Sequence, residues 1–443
     1  MDIKLSDHFT LKKLIRFVMP SVIMMVFTSI YGVVDGYFVS NYTGKTPFAA
    51  INLVWPFIMI IGTIGFMVGT GGTALVSKTL GEGDKKKANE IFSLLVYFVI
   101  GFGVVAAVLS IIFIKQVCIK LGAEGDMLPY AEIYGKIVVG AMPFFMLQNV
   151  FQSLLVTAER PKLGLAVTVV AGALNMLLDF LLVGVFNFGV TGAAVATAVS
   201  EVAGGGIPLI YFFVNKTSPL RLCKTHFDSK ALFKTFTNGA SEFMTNISMS
   251  LVNIVYNYVL LRAYGENGVA AYGVIMYVSF VFVSIFIGYS MGVAPIIGYS
   301  YGAENHSELK NIFKKSLTFL AVGGVIMAAS AIALSRPLAH IYTGYDKELF
   351  ELTTLAFMLF STHFLFAGFN IFSSAFFTAL NNGAVSAAIS FLRTMVFEIS
   401  WVLILPKLFG INAIWLAMTA SEICTLAVSA FFLINNKKRY HYI

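Results

Sequence analysis

Charge is what this sequence has least of. Only 12% of its 443 residues are Asp, Glu, Lys or Arg, about half the ~25% of an ordinary soluble domain. A water-soluble chain of this length could not cover its surface with so few charges, which excludes a soluble enzyme. With 58% hydrophobic residues, a disordered chain and a collagen-like fibre are excluded as well. Cysteine is also scarce: Cys118, Cys223 and Cys424 stand at unrelated spacings and make neither a disulfide framework nor a zinc site. No His, Cys or Ser-His cluster suggests a membrane-embedded enzyme. Gly44, Lys45 and Thr46 look like the end of a P-loop, but Val39 stands where its first glycine belongs. Without a nucleotide motif, any transport must run on an ion gradient.

What the chain has instead is long apolar runs. Crossing ~30 Å of hydrocarbon takes about 20 apolar residues. Polar and Gly/Pro-marked breaks divide the sequence into twelve such segments: 12–39, 48–79, 90–115, 129–157, 163–185, 189–214, 232–262, 268–300, 310–334, 348–379, 384–406 and 410–434. The runs are continuous rather than alternating, so they read as helices and not as barrel strands. The first follows Lys4, Lys12 and Lys13 without a small-residue cleavage site and reads as an uncleaved span. Pro20, Pro56, Pro143, Pro208 and Pro295 are expected kink points.

An even number of spans puts both termini on one side. The termini and the even-numbered loops hold 21 Lys and Arg, and the opposite loops hold seven: Lys45, Lys115, Lys120, Arg262, Arg336, Lys347 and Lys407. Lys136 and Arg393 fall inside spans. By the positive-inside rule both termini are expected in the cytoplasm, with the chain in the plasma (inner) membrane. The net charge of +8 is therefore a topology signal, and nucleic acid is not an expected partner.

Shifted by 221 residues, the sequence aligns with itself without a gap. Phe188-Gly189-Val190 meets Phe409-Gly410-Ile411, Ser200-Glu201-Val202 meets Ser421-Glu422-Ile423, and Gly81 meets Gly302. Ile91-Phe92 likewise meets Ile312-Phe313, and Ala49-Ala50 meets Ala270-Ala271. The expected architecture is an all-α integral membrane protein of two pseudo-symmetric six-helix bundles, residues 1–218 and 219–443, joined by the connector around 215–231. Parallel repeats of this kind are a transporter design, with the substrate site between halves and rocking as the access change.

The halves differ in an informative way. Asp35 maps onto Tyr256, Asn175 onto Val396, Asp179 onto Ser400, Thr197 onto Met418 and Tyr134 onto Leu355. At 1.5 Å per residue, Asp35, Asp179, Tyr134 and Thr197 come from four helices to a similar depth near the outer surface. Asn175 and Asp179 are spaced i, i+4 and share one face, which Thr168 and Gly172 continue. Ionisable groups inside spans are expensive and usually functional. Two carboxylates with amide and hydroxyl neighbours can coordinate a hard cation such as Na⁺ or share a proton. Either use makes a coupling-ion site, and no other cofactor is expected.

Elsewhere, Glu201 and Glu422 occupy equivalent positions, which suits a shared structural role. Arg393 needs an acidic partner, either Glu398 or Glu422, and a structural salt bridge is expected. His363 reads as a satisfied interior histidine. Spans 1, 7 and 8 are expected to line a passage between the lobes, with Met24, Met25, Thr28, Tyr31, Glu242, Asn246, Asn253, Tyr256, Asn257, Met276 and Tyr277 as wall residues. Adaptable methionine and aromatic walls suit varied lipophilic cations. Gly65, Gly69, Gly71 and Gly72 crowd span 2, and Gly204, Gly205 and Gly206 are expected to interrupt span 6.

Four stretches carry a family resemblance: 31–40 (YGVVDGYFVS), 72–83 (GTALVSKTLGEG), 175–179 (NMLLD) and 189–197 (GVTGAAVAT). With them the whole chain resembles the multidrug and toxic compound extrusion (MATE) family, closer to its DinF-like branch. The resemblance implies a V-shaped, two-lobed exporter, taken here as a monomer, that exchanges external Na⁺ or H⁺ for cytoplasmic organic cations. It implies a cation site at Asp35, Asn175, Asp179 and Thr197, with Tyr134 nearby. Membrane lipids surround it, and a lipid or lipid-linked oligosaccharide flippase of the same superfamily is the alternative. A flippase would need a cationic groove for phosphate, and the spans hold only Lys136 and Arg393.

Overall fold

The computed structural model describes residues 3–215 and 218–443; residues 216 and 217, in the expected connector between the halves, lie outside the described residues. Most of the described residues are helical, and none of them lies in a strand. In chain order the helices are α1 (Leu11–Tyr42), α2 (Lys45–Gly81), α3 (Lys85–Leu121), α4 (Met127–Gly140 and Met142–Thr157), α5 (Pro161–Val185) and α6 (Gly189–Val214). The second set is α7 (Ser229–Tyr264), α8 (Glu266–Gly302), α9 (His306–Thr343), α10 (Lys347–Ala379), α11 (Gly383–Phe409) and α12 (Ile411–Tyr440).

Ten of these are long and apolar enough to cross a membrane, and the bent pair forming α4 makes an eleventh. The twelfth, α7, has 36 residues, ample length at ~1.5 Å per residue. Its polarity comes from Asn238, Glu242, Asn246, Asn253 and Asn257, which give it surfaces other than lipid to face. Side-chain caps begin several helices: Thr10, Asp84, Asp228, Asn305 and Asp346 each accept from backbone N–H groups of the first turn.

The expected kinks resolve unequally. Pro143 sits just past a 54° bend between the two parts of α4, while helix runs on through Pro20, Pro56, Pro208 and Pro295. The expected interruption at Gly204–206 is corrected: α6 is continuous from Gly189 to Val214. These glycines permit close approach instead, because a Cβ on Gly205 would overlap the Phe144 carbonyl and one on Gly204 would lie 2.6 Å from Gln148.

Two apolar cores hold the molecule together, one built mainly from α2–α6 and the other from α7–α12. They exchange elements at the basic face, where the N-terminus and the Lys/Arg-rich loops lie. Leu14, Phe17, Val18 and Val22 of α1 pack in the second core, and Ala231 and Leu232 of α7 pack in the first. The seam is glycine-lined and symmetric. Gly81 lies against the Tyr299 carbonyl and Gly302, 221 residues on, against the Lys78 carbonyl. Gly71 meets Thr235 and Gly239, while its counterpart Gly292 meets Val18. In each case a Cβ would strike backbone or β-carbon atoms of the other half, so the two halves close on one another at the basic face.

A strap reinforces that closure. Leu5 and Phe9 are buried ahead of α1. Leu5 N–H donates to Glu159 Oε1 (2.7 Å) in the turn before α5, and Phe9 N–H donates to Glu308 Oε1 (2.9 Å) at the start of α9. His8 Nδ1 lies 2.6 Å from the other Glu308 oxygen, and Asn311 and Lys315 donate to the Phe9 carbonyl. Residues 3–9 thus tie one half to the other through two carboxylates. Glu308→Ala is expected to free this segment and speed tryptic cleavage at Lys4, Lys12 and Lys13 several-fold; an unchanged cleavage rate would show that the apolar anchors suffice.

Candidate functional site

The first-half cluster assembles where four helices meet. Asp179 begins a wide π-helical turn, Asp179–Val185, that continues α5, and such turns recur at functional sites because they re-aim side chains. Asp179 is 0% exposed. Its carboxyl faces that of Asp35 on α1, and the Asn175 amide, one turn earlier, also faces Asp35. From the bent α4 the Tyr134 hydroxyl reaches the Thr197 side chain on α6, and Tyr134 lies within electrostatic reach of both aspartates. The structure therefore brings together Asp35, Asn175, Asp179, Thr197 and Tyr134. Close packing makes room for this: Tyr31 and Phe27 sit directly against Gly172, where a side chain would displace them.

The cluster is polar but unsatisfied. Asp35 Oδ1, Asn175 Oδ1 and both Asp179 oxygens are buried without a hydrogen-bond partner. Glu201 on α6 joins them: it faces Tyr31 and Tyr134, and its Oε2 is also buried and unpartnered. No basic side chain among the described residues pairs with any of these three carboxyls. Burying carboxylates without a counter-charge is costly, and either protonation or a bound cation would relieve that cost. No group of three or more His, Cys, Asp or Glu able to hold a metal occurs among the described residues. The donors here are carboxylate, amide and hydroxyl oxygens, the hard set that suits Na⁺ rather than a transition metal.

The second half shows the contrast. Arg393, which the 221-residue shift places over Gly172, donates through Nε (2.9 Å) and Nη2 to Glu422 Oε1. Asn370 Nδ2 donates to Glu422 Oε2 (2.6 Å), Ser429 donates to Asn370, and Ser421 donates to the Arg393 carbonyl. Glu422, not Glu398, is thus the partner of Arg393. The shared structural role expected for Glu201 and Glu422 does not extend to their partners, because the arginine exists in only one half. His363 Nδ1 lies 2.7 Å from the Phe360 carbonyl, a satisfied interior position. Breaking a buried ion pair from one side strands a charge, at roughly 3–5 kcal/mol. Glu422→Ala is expected to lower the thermal unfolding midpoint by several degrees, and Glu201→Ala, which strands nothing, to lower it much less; equal shifts would overturn the contrast.

A cavity of about 290 Å³ lies between the halves, beyond the glycine seam. Glu242, Asn253 and Met276 line it, with Tyr272, Arg393, Thr394, Glu398 and Met418 on the second-half wall and Thr70, Thr73 and Ser153 from the first half. The other eight expected wall residues are not part of its lining: Met25, Asn246, Asn257 and Tyr277 stand outside it, and Met24, Thr28, Tyr31 and Tyr256 have other surroundings. Met24 is buried against Gly164, Thr28 donates to the Met24 carbonyl, and Tyr31 belongs to the carboxyl cluster. Tyr256 is fully buried behind Tyr272, their rings stacked at 4.5 Å. Sequence reasoning did not name Tyr272 as a wall residue, and it did not place Glu201 beside the aspartates. The available signal was the pairing of Arg393 with Gly172 under the internal shift.

Fold and site define a duplicated, multi-pass membrane protein with a cavity between its halves and a cluster of buried carboxyls in one half. Comparison with known proteins agrees. The sequence model of the MatE family matches twice, over residues 20–181 and 243–404, and the chain belongs to that family. The multidrug export protein MepA of Staphylococcus aureus (strain MSSA476) is 26% identical over 424 residues, 94% of this chain and 92% of its own. MepA of Staphylococcus saprophyticus is 26% identical over 423 residues, with the same coverage. Among solved structures, the fold matches a MATE protein in complex with MaL6 (TM-score 0.91, 21% identity, 97% of this chain and 98% of that one). It also matches a MATE protein in the straight conformation (TM-score 0.91, 20% identity, 97% and 98%).

Proposed function

We propose that this protein is a secondary active multidrug exporter that exchanges external Na⁺ or H⁺ for organic, mostly cationic compounds from the cytoplasm by alternating access. The observation that carries the reading is the trio of buried carboxyls, Asp35, Asp179 and Glu201, with no basic partner among the described residues. Such a pocket has differential affinity for an ion, and only differential affinity lets an ion shift a conformational equilibrium. Na⁺ would take oxygens from Asp35, Asn175, Asp179 and Thr197, with the Tyr134 hydroxyl beside them; protons would neutralise the carboxyls directly.

Placing the basic face in the cytoplasm follows from the charge bias. With the basic face in the cytoplasm, closure of the glycine seam on that face supports an outward-facing reading of this conformation. The relatives named for multidrug export support drugs as the cargo. Among the described residues, the basic side chains on the cavity wall are Arg393, already paired, and His363, which does not favour a phosphate-binding flippase. The test is efflux from proteoliposomes under separately imposed Na⁺ and pH gradients. One gradient is expected to drive export of a lipophilic cation; export indifferent to both would overturn the reading.

A further inference from the structure

Beneath the glycine seam, cations from both halves gather on the basic face. Lys78 lies in the last turn of α2, Lys234 in the second turn of α7 and Arg439 in the last turn of α12. An aromatic pair links the first to the third. Lys78 Nζ lies 5.9 Å from the Tyr301 ring centre, Tyr301 and Tyr440 are 5.5 Å apart, and the Arg439 guanidinium lies 5.3 Å from the Tyr440 ring. Lys234 Nζ donates to the Asn381 carbonyl (2.7 Å), and the Asn381 amide donates to the Ala74 carbonyl (2.9 Å), one turn before Lys78. Lys234 is half-buried and within electrostatic reach of both Lys78 and Arg439. The cluster therefore spans the joint, with one cation from the first half and two from the second.

Its charge is poorly compensated. Lys78 meets Glu82 at 3.0 Å, one turn on, an exposed pair of the kind that contributes little. Lys234 and Arg439 have no acidic partner among the described residues. The 221-residue shift shows what is missing. It places Lys234 over Lys13, which pairs with Asp7 at 2.8 Å. Asp228 is the counterpart of Asp7, but its carboxylate accepts from Lys230 N–H (2.9 Å) and Ala231 N–H (3.1 Å) at the start of α7. The acid that serves the lysine in one half caps a helix in the other. Closing the basic face thus brings Lys78 toward Lys234 and Arg439 without a matching anion, and like charges within a Debye length (~10 Å at 0.1 M salt) repel. A phosphate group answers this arrangement, because it accepts from ammonium groups and from the planar guanidinium fork at once.

We propose that Lys78, Lys234 and Arg439 form an anion site that takes a phosphate group, from soluble phosphate or an anionic lipid headgroup, and holds the two halves together at the basic face. The site is complete only when that face is closed, so its ligand favours the closed conformation through differential affinity. Binding here does not depend on the exporter reading, and export indifferent to ion gradients would leave it standing. The test uses the purified full-length chain in two arms: equilibrium dialysis against radiolabelled inorganic phosphate, and retention of phosphatidic acid over phosphatidylcholine after purification from vesicles containing both. Saturable binding is expected in at least one arm, and which arm responds identifies the source. Combining Lys234→Gln with Arg439→Gln is expected to weaken that binding at least ~tenfold. Lys230→Gln, an exposed charge on the same face, is expected to change it less than ~twofold. Gel-filtration profiles matching the unmodified protein would show that the variants fold. No binding in either arm, binding that survives the double substitution, or an equal loss in Lys230→Gln would overturn the site.

Discussion

Asp35→Asn and Asp179→Asn are each expected to reduce ion-driven export by about 10- to 100-fold in proteoliposomes, while leaving the folded protein intact. Both substitutions are nearly isosteric, so packing around α1 and α5 should survive. What they remove is the charge whose neutralisation distinguishes ion-bound from ion-free protein. Couplings between sites are typically worth 1–3 kcal/mol, or about 5- to 150-fold, and losing one carboxyl should forfeit most of that. Asp179 is enclosed, without a partner on either oxygen, so an amide there also meets fewer unfavourable contacts than it would in a satisfied network. Glu201→Gln is expected to have an intermediate effect, since Glu201 contacts the cluster through Tyr31 and Tyr134. Substitution of Glu304, on the turn after α8, serves as the control. Coupled export undiminished in both aspartate variants would remove the pocket from the mechanism.

Gly302→Val and Gly81→Val are expected to abolish transport by a different route. Each glycine lies against a backbone carbonyl of the other half, Lys78 and Tyr299 respectively. A carbonyl on a helix cannot swing aside as a flexible side chain can, so the two halves must separate. Overpacking of this kind costs roughly 1–3 kcal/mol or more, and the penalty falls on the conformation closed at the basic face, not on the lobes themselves. A penalty of that size shifts the balance of states about 5- to 150-fold away from closure. The matching readout is spin-label or fluorophore distance across the basic face, which should lengthen in both variants alike because the contacts are related by symmetry. Gly101→Val, where a Cβ meets nothing within 4 Å, should transport normally. Normal transport by Gly302→Val, or a distance that does not change, would show that this seam is not part of the cycle.

Legibility in the sequence followed how local each signal was. Helical spans, their bias of basic residues and the 221-residue repeat are written in runs and spacings, and the helices appear where the runs predict them. The carboxyl cluster was also within reach, because Asp35, Asn175 and Asp179 stand out against apolar neighbours and against their counterparts in the second half. Wall residues were a different matter. Met24, Thr28 and Tyr31 share a helix with Asp35, yet helix periodicity does not say which neighbour covers each face, and packing sent them away from the cavity. Gly204–206 were misjudged for the same reason: glycine can interrupt a helix or admit a neighbour, and only Phe144 and Gln148, lying on those residues, decide which.

By itself the sequence determined the membrane class, the count of helical segments, the duplication and the residues too costly to bury without a purpose. These depend on transfer energies and periodicities that act within a few turns of helix. Only the tertiary structure decided which charges are compensated: Arg393 reaches Glu422, while Glu201, with Gly172 in the arginine's place, joins the aspartates. Ion pairing and closure depend on which helices meet and at what depth. That is set by packing between distant parts of the chain, where one glycine or one arginine changes what its neighbours must do.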